Sequence, residues 1–458
     1  MERFALWEIA EAARGELVPG TCPPDFAPTG GCIDTRLLAF GEIFFALVGT
    51  RTDGHEFIAS AFAAGASAAV VSVRWYSGQP VPKRPSGTLI VVEDPEQAMS
   101  DVARVYRSRF RIPVLAVTGS NGKTTTKEMA AEVLGTRYRV LKTEGNLNSR
   151  QGLPLTLFRL SAGHEAAVLE LGISETSGLT HLCNVADPKV GLITNIGPTH
   201  LEFLGSVEGV AKAKGEILGY LDESSTAILN LDDLWLAREK NKIKGRLLGF
   251  GIEQICQFRG EGLVLDQDGC GHFSLQSRKI RLHVPGRHNV YNALAAAAAG
   301  FALEVPLEDA IRALEGFQPA AMRSSVETRA GVRILNDAYN ANPASMRAAL
   351  ETLRAMKVEE GGRRIACLGD MLELGEDAPA LHRGVGTIAE GLGVDLIFAT
   401  GPLAVEIVRG APGLGGGHYP DRNRLILALN ENLRSGDILL VKGSRGMRME
   451  EVIAGLDL

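Results

Sequence analysis

Short apolar stretches rich in β-branched residues alternate along the chain with longer stretches in which apolar residues recur every three or four positions. Continuous apolar runs are typical of buried parallel strands, whereas the longer period marks helices that pack on one face. The pattern predicts strands at 88–92, 114–117, 167–171, 190–194, 227–230, 365–368, 396–399 and 438–441, with intervening helices such as 127–134, 206–221 and 343–356. This alternation favours an α/β fold with parallel sheets built from βαβ units.

The pattern divides the chain into three blocks. Residues 1–111 end in a charged helix, and residues 112–322 open on a strand and a glycine-rich turn. Within the second block, short strands alternate with glycine over 255–284, which predicts an inserted antiparallel hairpin. Residues 323–458 begin a new series of strand–helix units, in which the glycines at 361–362 and 413–417 are expected to form surface turns. We therefore expect three α/β domains.

Composition narrows the class of protein. Hydrophobic residues make up 45% of the 458 positions and charged residues 22%, as in globular proteins. Lys+Arg total 48 against 54 Asp+Glu, so the balance argues against nucleic-acid binding or adhesion to anionic membranes. The six cysteines are scattered without a C-x-x-C pair, which suits a reducing compartment. The longest apolar stretches contain glycine and are too short to span a bilayer, and no signal peptide is recognised, so we expect a cytoplasmic protein.

The most informative motif is the run TGSNGKTTT at 118–126, which follows a predicted strand and opens a helix. Backbone N–H groups in such a turn cradle phosphate oxygens, the lysine offsets their charge, and the first threonine hydroxyl can ligate Mg²⁺. The full P-loop pattern requires glycine where Val117 stands, so this is a shortened loop; an ordinary glycine turn before a helix is the alternative. The expected nucleotide-binding residues are Thr118, Gly119, Ser120, Asn121, Gly122, Lys123, Thr124 and Thr125.

This run resembles the ATP loop of the Mur ligases, which build the peptide stem of the bacterial cell wall; folylpolyglutamate synthases are similar there. Further segments fit the Mur ligases in the same order, so the resemblance spans nearly the whole chain. It implies an N-terminal UDP-sugar-binding α/β domain, a central P-loop ATPase-type domain with a parallel sheet, and a C-terminal Rossmann-like α/β domain.

The resemblance also implies two Mg²⁺ ions. Glu170 ends a predicted strand, where ligands of α/β proteins bind, and would join Thr124 on the first ion. His200 would hold the second, although magnesium prefers oxygen and a structural histidine is the alternative. Lys214 would be carbamylated, becoming a carboxylate that supports the second ion; an ammonium paired with phosphate or Glu216 is the alternative. Lys123, Glu170, His200 and Lys214 are thus the implied catalytic residues.

Other positions correspond to the nucleotide side of the family. Asn289 and Asn292 are three residues apart and share one helix face, and their amides suit an adenine or ribose edge; capping of the helix by Asn289 is compatible. Arg323 matches an arginine that touches the nucleotide phosphates, although Ser325 stands where an acidic residue is usual. Asp337 would reach the nucleotide from the third block.

Substrate selection is also implied by resemblance. Thr35, Arg36 and His55 match a UDP-sugar domain, and Asn146 and Asn148 match contacts to the muramoyl-peptide. The segments DAYNANP at 337–343, LGDMLELG at 368–375 and KGSR at 442–445 resemble the branch that adds D-alanyl-D-alanine, which makes Tyr339, Asn340 and Asn342 substrate residues. Asp370 or Glu373 could hold the dipeptide ammonium, with solvated loop acids as the alternative.

The resemblance therefore implies a monomeric ligase that uses ATP and Mg²⁺ to join D-alanyl-D-alanine to UDP-N-acetylmuramoyl-tripeptide through an acyl phosphate. Three alternatives stay open at this point. Two are related ligases with another acceptor, the third-residue-adding Mur ligase and a folylpolyglutamate synthase. The third is a regulatory P-loop ATPase that forms no bond.

Overall fold

The computed structural model describes residues 1–49, 52–79, 86–173 and 178–458. The described residues divide into two compact units. The first unit lies within residues 1–117, 137–173 and 177–191, and the second within residues 118–136 and 192–458. In this part of the chain, no helix is long and apolar enough to cross a membrane.

The first sheet of the chain has the strand order β1-β5-β4-β3-β2. β1 runs antiparallel to β5, and the other neighbours are parallel. The strands are β1 (Glu16–Val18), β2 (Gly31–Cys32), β3 (Ile43–Phe45), β4 (Ala68–Ser72) and β5 (Thr88–Val92). The accompanying helices are α1 (Leu6–Ala12), α2 (Ile58–Ala63), α3 (Val73–Gly78) and α4 (Pro95–Ser108).

The second sheet has the strand order β12-β11-β10-β9-β6-β8-β7. Its strands are β6 (Val114–Thr118), β7 (Val140–Lys142), β8 (Ala166–Glu170), β9 (Val190–Ile193), β10 (Thr226–Asn230), β11 (Arg246–Gly251) and β12 (Phe258–Arg259). β6 and β8 are buried along their whole length, as expected for parallel strands covered on both faces. The helices in this part are α5 (Lys123–Gly135), α6 (Gly152–Leu157), α7 (Gly178–Ala186), α8 (Leu201–Leu204), α9 (Val207–Tyr220) and α10 (Leu234–Glu239).

The stretch at 255–284 differs from the predicted hairpin. Its beginning forms β12, in which Phe258 is buried and pairs in parallel with Phe250 of β11. The remainder forms a three-stranded antiparallel sheet of β13 (Glu261–Leu265), β14 (Cys270–Leu275) and β15 (Arg278–Pro285). The hairpin prediction was therefore wrong in extent, because the buried phenylalanine belongs to the parallel sheet. Two helices follow, α11 (Arg287–Ala302) and α12 (Leu307–Gly316).

The last sheet has the order β16-β17-β21-β18-β19-β20 and is parallel except for the edge strand β16. Its strands are β16 (Ser325–Arg329), β17 (Val332–Asn336), β18 (Arg364–Gly369), β19 (Leu396–Thr400), β20 (Gly415–Tyr419) and β21 (Ile438–Lys442). Two buried apolar clusters include side chains from its strands. The helices are α13 (Pro343–Ala355), α14 (Ala378–Gly391), α15 (Val405–Arg409), α16 (Arg422–Asn432) and α17 (Glu450–Ala454).

One predicted turn in this region is a strand. The glycines at 415–417 begin β20 instead of forming a surface turn. Gly416 has a φ of 99°, and a Cβ there would lie 2.0 Å from the carbonyl oxygen of Ile397. Glycine is therefore required for close approach of two strands, and a glycine run need not indicate a turn. The α/β class with several parallel sheets is confirmed, while the boundaries at 111/112 and 322/323 stay predictions.

Candidate active site

The phosphate loop connects the end of β6 to the start of α5. Gly119 has a φ of 144° and Gly122 a φ of 78°, both in the region that side chains rarely adopt. A Cβ on Gly119 would lie 1.9 Å from the hydroxyl of Thr194, and one on Gly122 would lie 2.4 Å from Oδ1 of Asn292. The loop therefore requires glycine at both positions, for conformation and for space.

The segment after β9 holds this loop in shape. The backbone oxygen of Asn195 accepts from the Ser120 N–H at 2.9 Å, and its side-chain oxygen accepts from the Asn121 N–H at 3.0 Å. The Asn121 carbonyl in turn accepts from the Thr194 hydroxyl at 2.5 Å and from Asn195 Nδ2 at 3.0 Å. Sequence reasoning missed this supporting role of Thr194 and Asn195; their place at a strand end was the only signal.

Lys123 lies over the loop. Its Nζ donates to the carbonyl oxygens of Gly119 at 2.7 Å and Ser120 at 3.2 Å. Thr124 and Thr125 lie half-buried in the first turn of α5. The N-terminus of a helix beside an ammonium group is a favourable environment for an anion, because the first backbone N–H groups have no partner within the helix.

Asn289 and Asn292 connect α11 to α5. Both are buried; Asn292 Nδ2 donates to Asn289 Oδ1 at 2.9 Å, and Asn292 Oδ1 accepts from the Thr126 hydroxyl at 3.1 Å. Their predicted common helix face is confirmed. Asn289 does not cap the helix: the capping position is Gly286, and Asn289 Nδ2 donates back to the carbonyl of Pro285 at 2.7 Å. Contact of either amide with a nucleotide stays a prediction.

His200 begins α8 in a left-handed conformation, with a φ of 54°. Its Nδ1 lies 2.8 Å from Oε2 of Glu373. Burial lowers the pKa of His200, and the nearby positive charges of Lys214 and Lys123 lower it further, while Glu373 raises it. The net direction is downward, which favours the neutral ring that can act as a ligand.

Lys214 lies on α9 and is 1% exposed. No described residue offers its amine a hydrogen bond or an ion pair. Burial, and then the charge of Lys123, lower the pKa of Lys214 well below its usual value. A buried, unpaired ammonium is unfavourable, so the site favours either a neutral amine or a modified one.

Glu170, in the first unit, ends β8 and is 2% exposed. Its Oε1 accepts from Asn148 Nδ2 at 2.8 Å, whereas Oε2 is buried and has no hydrogen-bond partner among the described residues. An unsatisfied buried carboxylate oxygen costs about 1–3 kcal/mol, so a cation is the expected partner. This hydrogen bond thus joins Asn148, a predicted substrate residue, to Glu170, a predicted metal ligand. Asn146, two residues earlier, is exposed.

The donor set fits magnesium. No three His, Cys, Asp or Glu side chains of the described ranges converge as a metal cage. Mg²⁺ needs no such cage, since it is commonly bound by one or two carboxylates together with substrate phosphates and water. The unpartnered carboxylate oxygen of Glu170 is a donor type that this ion prefers. Binding of one ion by both Glu170 and Thr124 stays a prediction.

Arg323 and Asp337 both have partners within the second unit. The Arg323 guanidinium lies 3.8 Å from the centre of the Tyr339 ring. Asp337 Oδ1 accepts from the Ser324 N–H at 3.0 Å, and Oδ2 pairs with the buried Lys442 at 2.5 Å. The Asp337–Lys442 pair was not foreseen, although both residues lie in motifs of the family. A nucleotide contact by Arg323 or Asp337 stays a prediction.

Asn340 and Asn342 lie just before the start of α13. Asn342 caps this helix by accepting from the Ser345 N–H at 2.9 Å, with Pro343 at the first helical position as predicted. The carbonyl of Asn340 accepts from Lys442 Nζ at 2.9 Å. The amide nitrogen of Asn342 is directed elsewhere, to Asn121 Oδ1 of the phosphate loop at 2.7 Å.

Asp370 is buried, and therefore is not a solvated loop acid. It is 3% exposed and accepts from the backbone N–H groups of Leu403 at 3.1 Å and Ala404 at 2.6 Å. The alternative of a solvated loop acid was therefore wrong for Asp370, whose carboxylate orders the neighbouring loop, while contact of Asp370 with the dipeptide ammonium stays a prediction. Only Glu373 of the two acids is exposed.

The predicted sugar-nucleotide residues lie in the first unit. Arg36 is exposed and pairs with Asp34 at 2.5 Å, which lowers the pKa of Asp34 to about 2. Thr35, next to it in the chain, is half-buried. His55 is buried: Nδ1 lies 2.6 Å from Asp53 Oδ1, and Nε2 accepts from a backbone N–H at 2.9 Å. These contacts occupy both ring nitrogens. His55 could therefore donate a hydrogen bond to the UDP-sugar, as predicted, only if one of them broke.

Comparison with known proteins defines the class. The chain matches the Mur ligase family, catalytic domain, over residues 30–107, the Mur ligase middle domain over 117–300 and the Mur ligase, glutamate ligase domain over 322–445. The chain belongs to the Mur ligase family.

One relative compared by sequence and two compared by crystal structure show the extent of the similarity. UDP-N-acetylmuramoyl-tripeptide--D-alanyl-D-alanine ligase of Bacillus subtilis is 38% identical, covering 98% of this chain and 97% of the relative. A crystal structure of MurF from Acinetobacter baumannii has a TM-score of 0.89 at 30% identity and covers 100% of this chain and 99% of that chain. MurF ligase from Thermotoga maritima in complex with ADP has a TM-score of 0.82 at 28% identity and covers 93% and 96%.

Proposed function

We propose that this chain is the ATP-dependent amide ligase that joins D-alanyl-D-alanine to UDP-N-acetylmuramoyl-tripeptide in peptidoglycan precursor synthesis. It forms a C–N bond and converts ATP to ADP and phosphate. The observation that carries the proposal is similarity over 98% of the chain to a ligase of that name, with a phosphate loop at the expected place. A regulatory ATPase would leave the remaining motifs of the family without a role.

The reaction proceeds in two steps. The terminal carboxylate of the tripeptide attacks the γ-phosphorus of ATP, which releases ADP and leaves an acyl phosphate. The neutral amine of D-alanyl-D-alanine then attacks the acyl carbon, loses a proton and expels phosphate from a tetrahedral intermediate. Two anions must meet in the first step, so the loop N–H groups and Lys123 stabilise the transition state by offsetting negative charge.

Magnesium would be held by the residues that fit its chemistry. Thr124 and Glu170 would hold a first ion, and His200 and Lys214 would hold or support a second. When bound, Mg²⁺ supplies positive charge beside the phosphates. The support is the buried, unpartnered Oε2 of Glu170 and the neutral state that burial favours for His200.

Lys214 is proposed to be carbamylated. The nitrogen of a neutral amine forms a bond to the carbon of CO₂ and releases one proton, which gives an anionic carbamate, and the burial of Lys214 favours the neutral amine. The product is an anion, which removes the repulsion with Lys123 and provides an oxygen ligand. Protein prepared with ¹³C-bicarbonate should show a carbamate carbon resonance that Lys214→Ala lacks. An unmodified amine in the native protein would exclude the modification.

The three blocks receive separate roles in this proposal. Residues 1–111 bind the UDP-sugar end, 112–322 bind ATP, and 323–458 bring the incoming dipeptide. The contributing substrate residues are Thr35, Arg36, His55, Asn146, Asn148, Tyr339, Asn340 and Asn342. The enzyme is further proposed to act as a monomer and to lie in the cytoplasm. The six free cysteines support the location, because disulfides are rare in reducing compartments.

Phosphate release tests the function directly. Release of phosphate should require ATP, UDP-N-acetylmuramoyl-tripeptide and D-alanyl-D-alanine together. The assay is repeated with a panel of amino acids, including glutamate, and dipeptides in place of D-alanyl-D-alanine. A third-residue ligase would respond to the UDP-dipeptide and a free diamino acid, and a folylpolyglutamate synthase to folate and glutamate. Equal release without either substrate would indicate a regulatory ATPase.

A further inference from the structure

We infer that Glu373 is a positioning residue of the ligase: from the loop after β18 it orients the imidazole ring of His200. The inference rests on the proposed function and adds to it a residue of the third block that acts on the nucleotide side of the site. The observation is the 2.8 Å contact between His200 Nδ1 and Glu373 Oε2, across 173 positions of the chain.

Both residues of this pair are held in an unusual backbone conformation. His200 has a φ of 54° and Glu373 a φ of 61°, and neither is glycine. A left-handed conformation costs a residue with a side chain about 1–2 kcal/mol, and such residues cluster at functional sites. The surrounding structure must offset this cost at both residues, which fixes the two backbone positions from which the side chains meet.

The loop that carries Glu373 is fixed on its other side. The buried Asp370 carboxylate accepts from two backbone N–H groups of the next loop. The next two residues are held by buried polar side chains: His382 Nε2 accepts from the Met371 N–H at 2.9 Å, and Ser444 Oγ accepts from the Leu372 N–H at 2.9 Å. Glu373 is the next residue. Its position is therefore determined by the fold, although its side chain is about half exposed.

The carboxylate decides which ring nitrogen of His200 carries the proton. A carboxylate at Nδ1 favours Nδ1–H, which leaves the lone pair on Nε2. Histidines that ligate metals are commonly oriented in this way by a carboxylate on the other nitrogen, and loss of that partner typically costs about 10–100-fold in metal affinity or activity. Glu373 would thus fix both the tautomer and the direction of the Nε2 atom.

The pair also connects two parts of the second unit. His200 follows the segment that shapes the phosphate loop, whereas Glu373 follows the last-sheet strand β18. The orientation of His200 therefore depends on the place of the third block. The ATP-binding part of the site would then be complete only when the third block, which is proposed to bring the dipeptide, is in place.

The test compares Glu373→Ala with Glu373→Gln and with Glu376→Ala, an exposed glutamate in the short 3-10 helix that follows the loop. Selective ¹⁵N-histidine labelling and long-range ¹H–¹⁵N spectra report the His200 tautomer without any substrate; His200→Gln assigns the signal. Titration of the ADP-bound protein with Mn²⁺ reports metal affinity, and initial rates separate kcat from KM.

Glu373→Ala should move the His200 signal away from the Nδ1–H tautomer, weaken Mn²⁺ about 10-fold or more and lower kcat similarly, with the urea midpoint unchanged. Glu373→Gln, whose amide oxygen can still accept from Nδ1–H, should recover most of the loss, and Glu376→Ala should match the parent. An unchanged tautomer in Glu373→Ala, or equal losses in Glu373→Ala and Glu376→Ala, would overturn the inference. The tautomer can be read even if the parent fails to release phosphate with its proposed substrates, so failure of the function and failure of the inference are distinguishable.

Discussion

Asn342 donates a hydrogen bond from Nδ2 to Oδ1 of Asn121 at 2.7 Å, while its own Oδ1 caps α13. One side chain thus belongs both to a helix start in the third block and to the phosphate loop. The oxygen and the nitrogen of this amide make separate hydrogen bonds, so a substitution can remove one bond and keep the other.

Replacing Asn342 with serine should separate these tasks. Serine can still cap the helix, but it has no amide to reach Asn121, so the KM for ATP should rise about 2–10-fold through the lost hydrogen bond. Both variants lose the hydrogen bond to Asn121, so Asn342→Ala, which also loses the cap, should be less stable than Asn342→Ser by about 1 kcal/mol. Urea unfolding and ATP titration measure both. Equal destabilisation by serine and alanine would refute the division of tasks.

Gly119→Ala should abolish nucleotide binding. The new methyl group would meet the Thr194 hydroxyl at 1.9 Å in a backbone conformation that alanine avoids, so the loop must change shape. Gly135→Ala is the matched control, because nothing lies within 4 Å of a Cβ there. Binding of a fluorescent ADP analogue measures the difference. Tight binding by Gly119→Ala would show that the loop adapts.

Lys123→Ala should abolish ligation and leave binding of the UDP-tripeptide intact. The ammonium is needed to offset phosphate charge, whereas the UDP end is assigned to residues 1–111. Lys212→Ala, an exposed lysine near Lys214, should keep both properties. Calorimetry with the UDP-substrate and phosphate release give the two readouts. Loss of both in Lys123→Ala would count against the domain assignment.

Asp232→Asn should destabilise the protein in a pH-dependent manner. Burial alone would raise the pKa of Asp232, but hydrogen bonds from the backbone of residues 252–254 and from Tyr291 lower it on balance. A lowered folded-state pKa gives stability that is present above the unfolded value of about 3.9 and is lost as the pH falls through the folded value. We expect a loss of about 1–3 kcal/mol at pH 7.

Urea unfolding at several pH values between 7 and 3 measures this loss. The difference between parent and variant should shrink below about pH 4, as the parent carboxylate becomes protonated. A difference that stays constant over this range would mean that the charge of Asp232 contributes nothing. The exposed Asp457 offers a control, since Asp457→Asn should leave the profile nearly unchanged.

The sequence predicts those parts of the site that depend on neighbouring positions. The strand–loop–helix at 114–135 follows from an apolar run, two glycines and a lysine, and the common face of Asn289 and Asn292 follows from their spacing. The start of α13 follows from Asn342 and Pro343. In each case the local pattern determines the local structure.

Contacts between distant positions could not be predicted in this way. The partners of Asn121 lie 74 and 221 residues away, and the pair of His200 and Glu373 is separated by 173. Asp370 was misread because an acid in a glycine-containing segment looks solvated until its backbone partners are known. The strand β20 was misread because the need for glycine arises from the neighbouring strand.

The hydrogen bond between Thr126 and Asn292 spans 166 positions, and it has a consequence for protein synthesis. At roughly 5–20 residues per second, a ribosome needs about 8–33 s after making the phosphate loop before it makes the asparagine that supports it. The nascent chain therefore passes through a period in which the lysine and glycines of the loop are present but the hydrogen bond from Thr126 to Asn292 cannot yet form. Any nucleotide that reaches the nascent chain in this period meets a helix start without its hydrogen bond to Asn292.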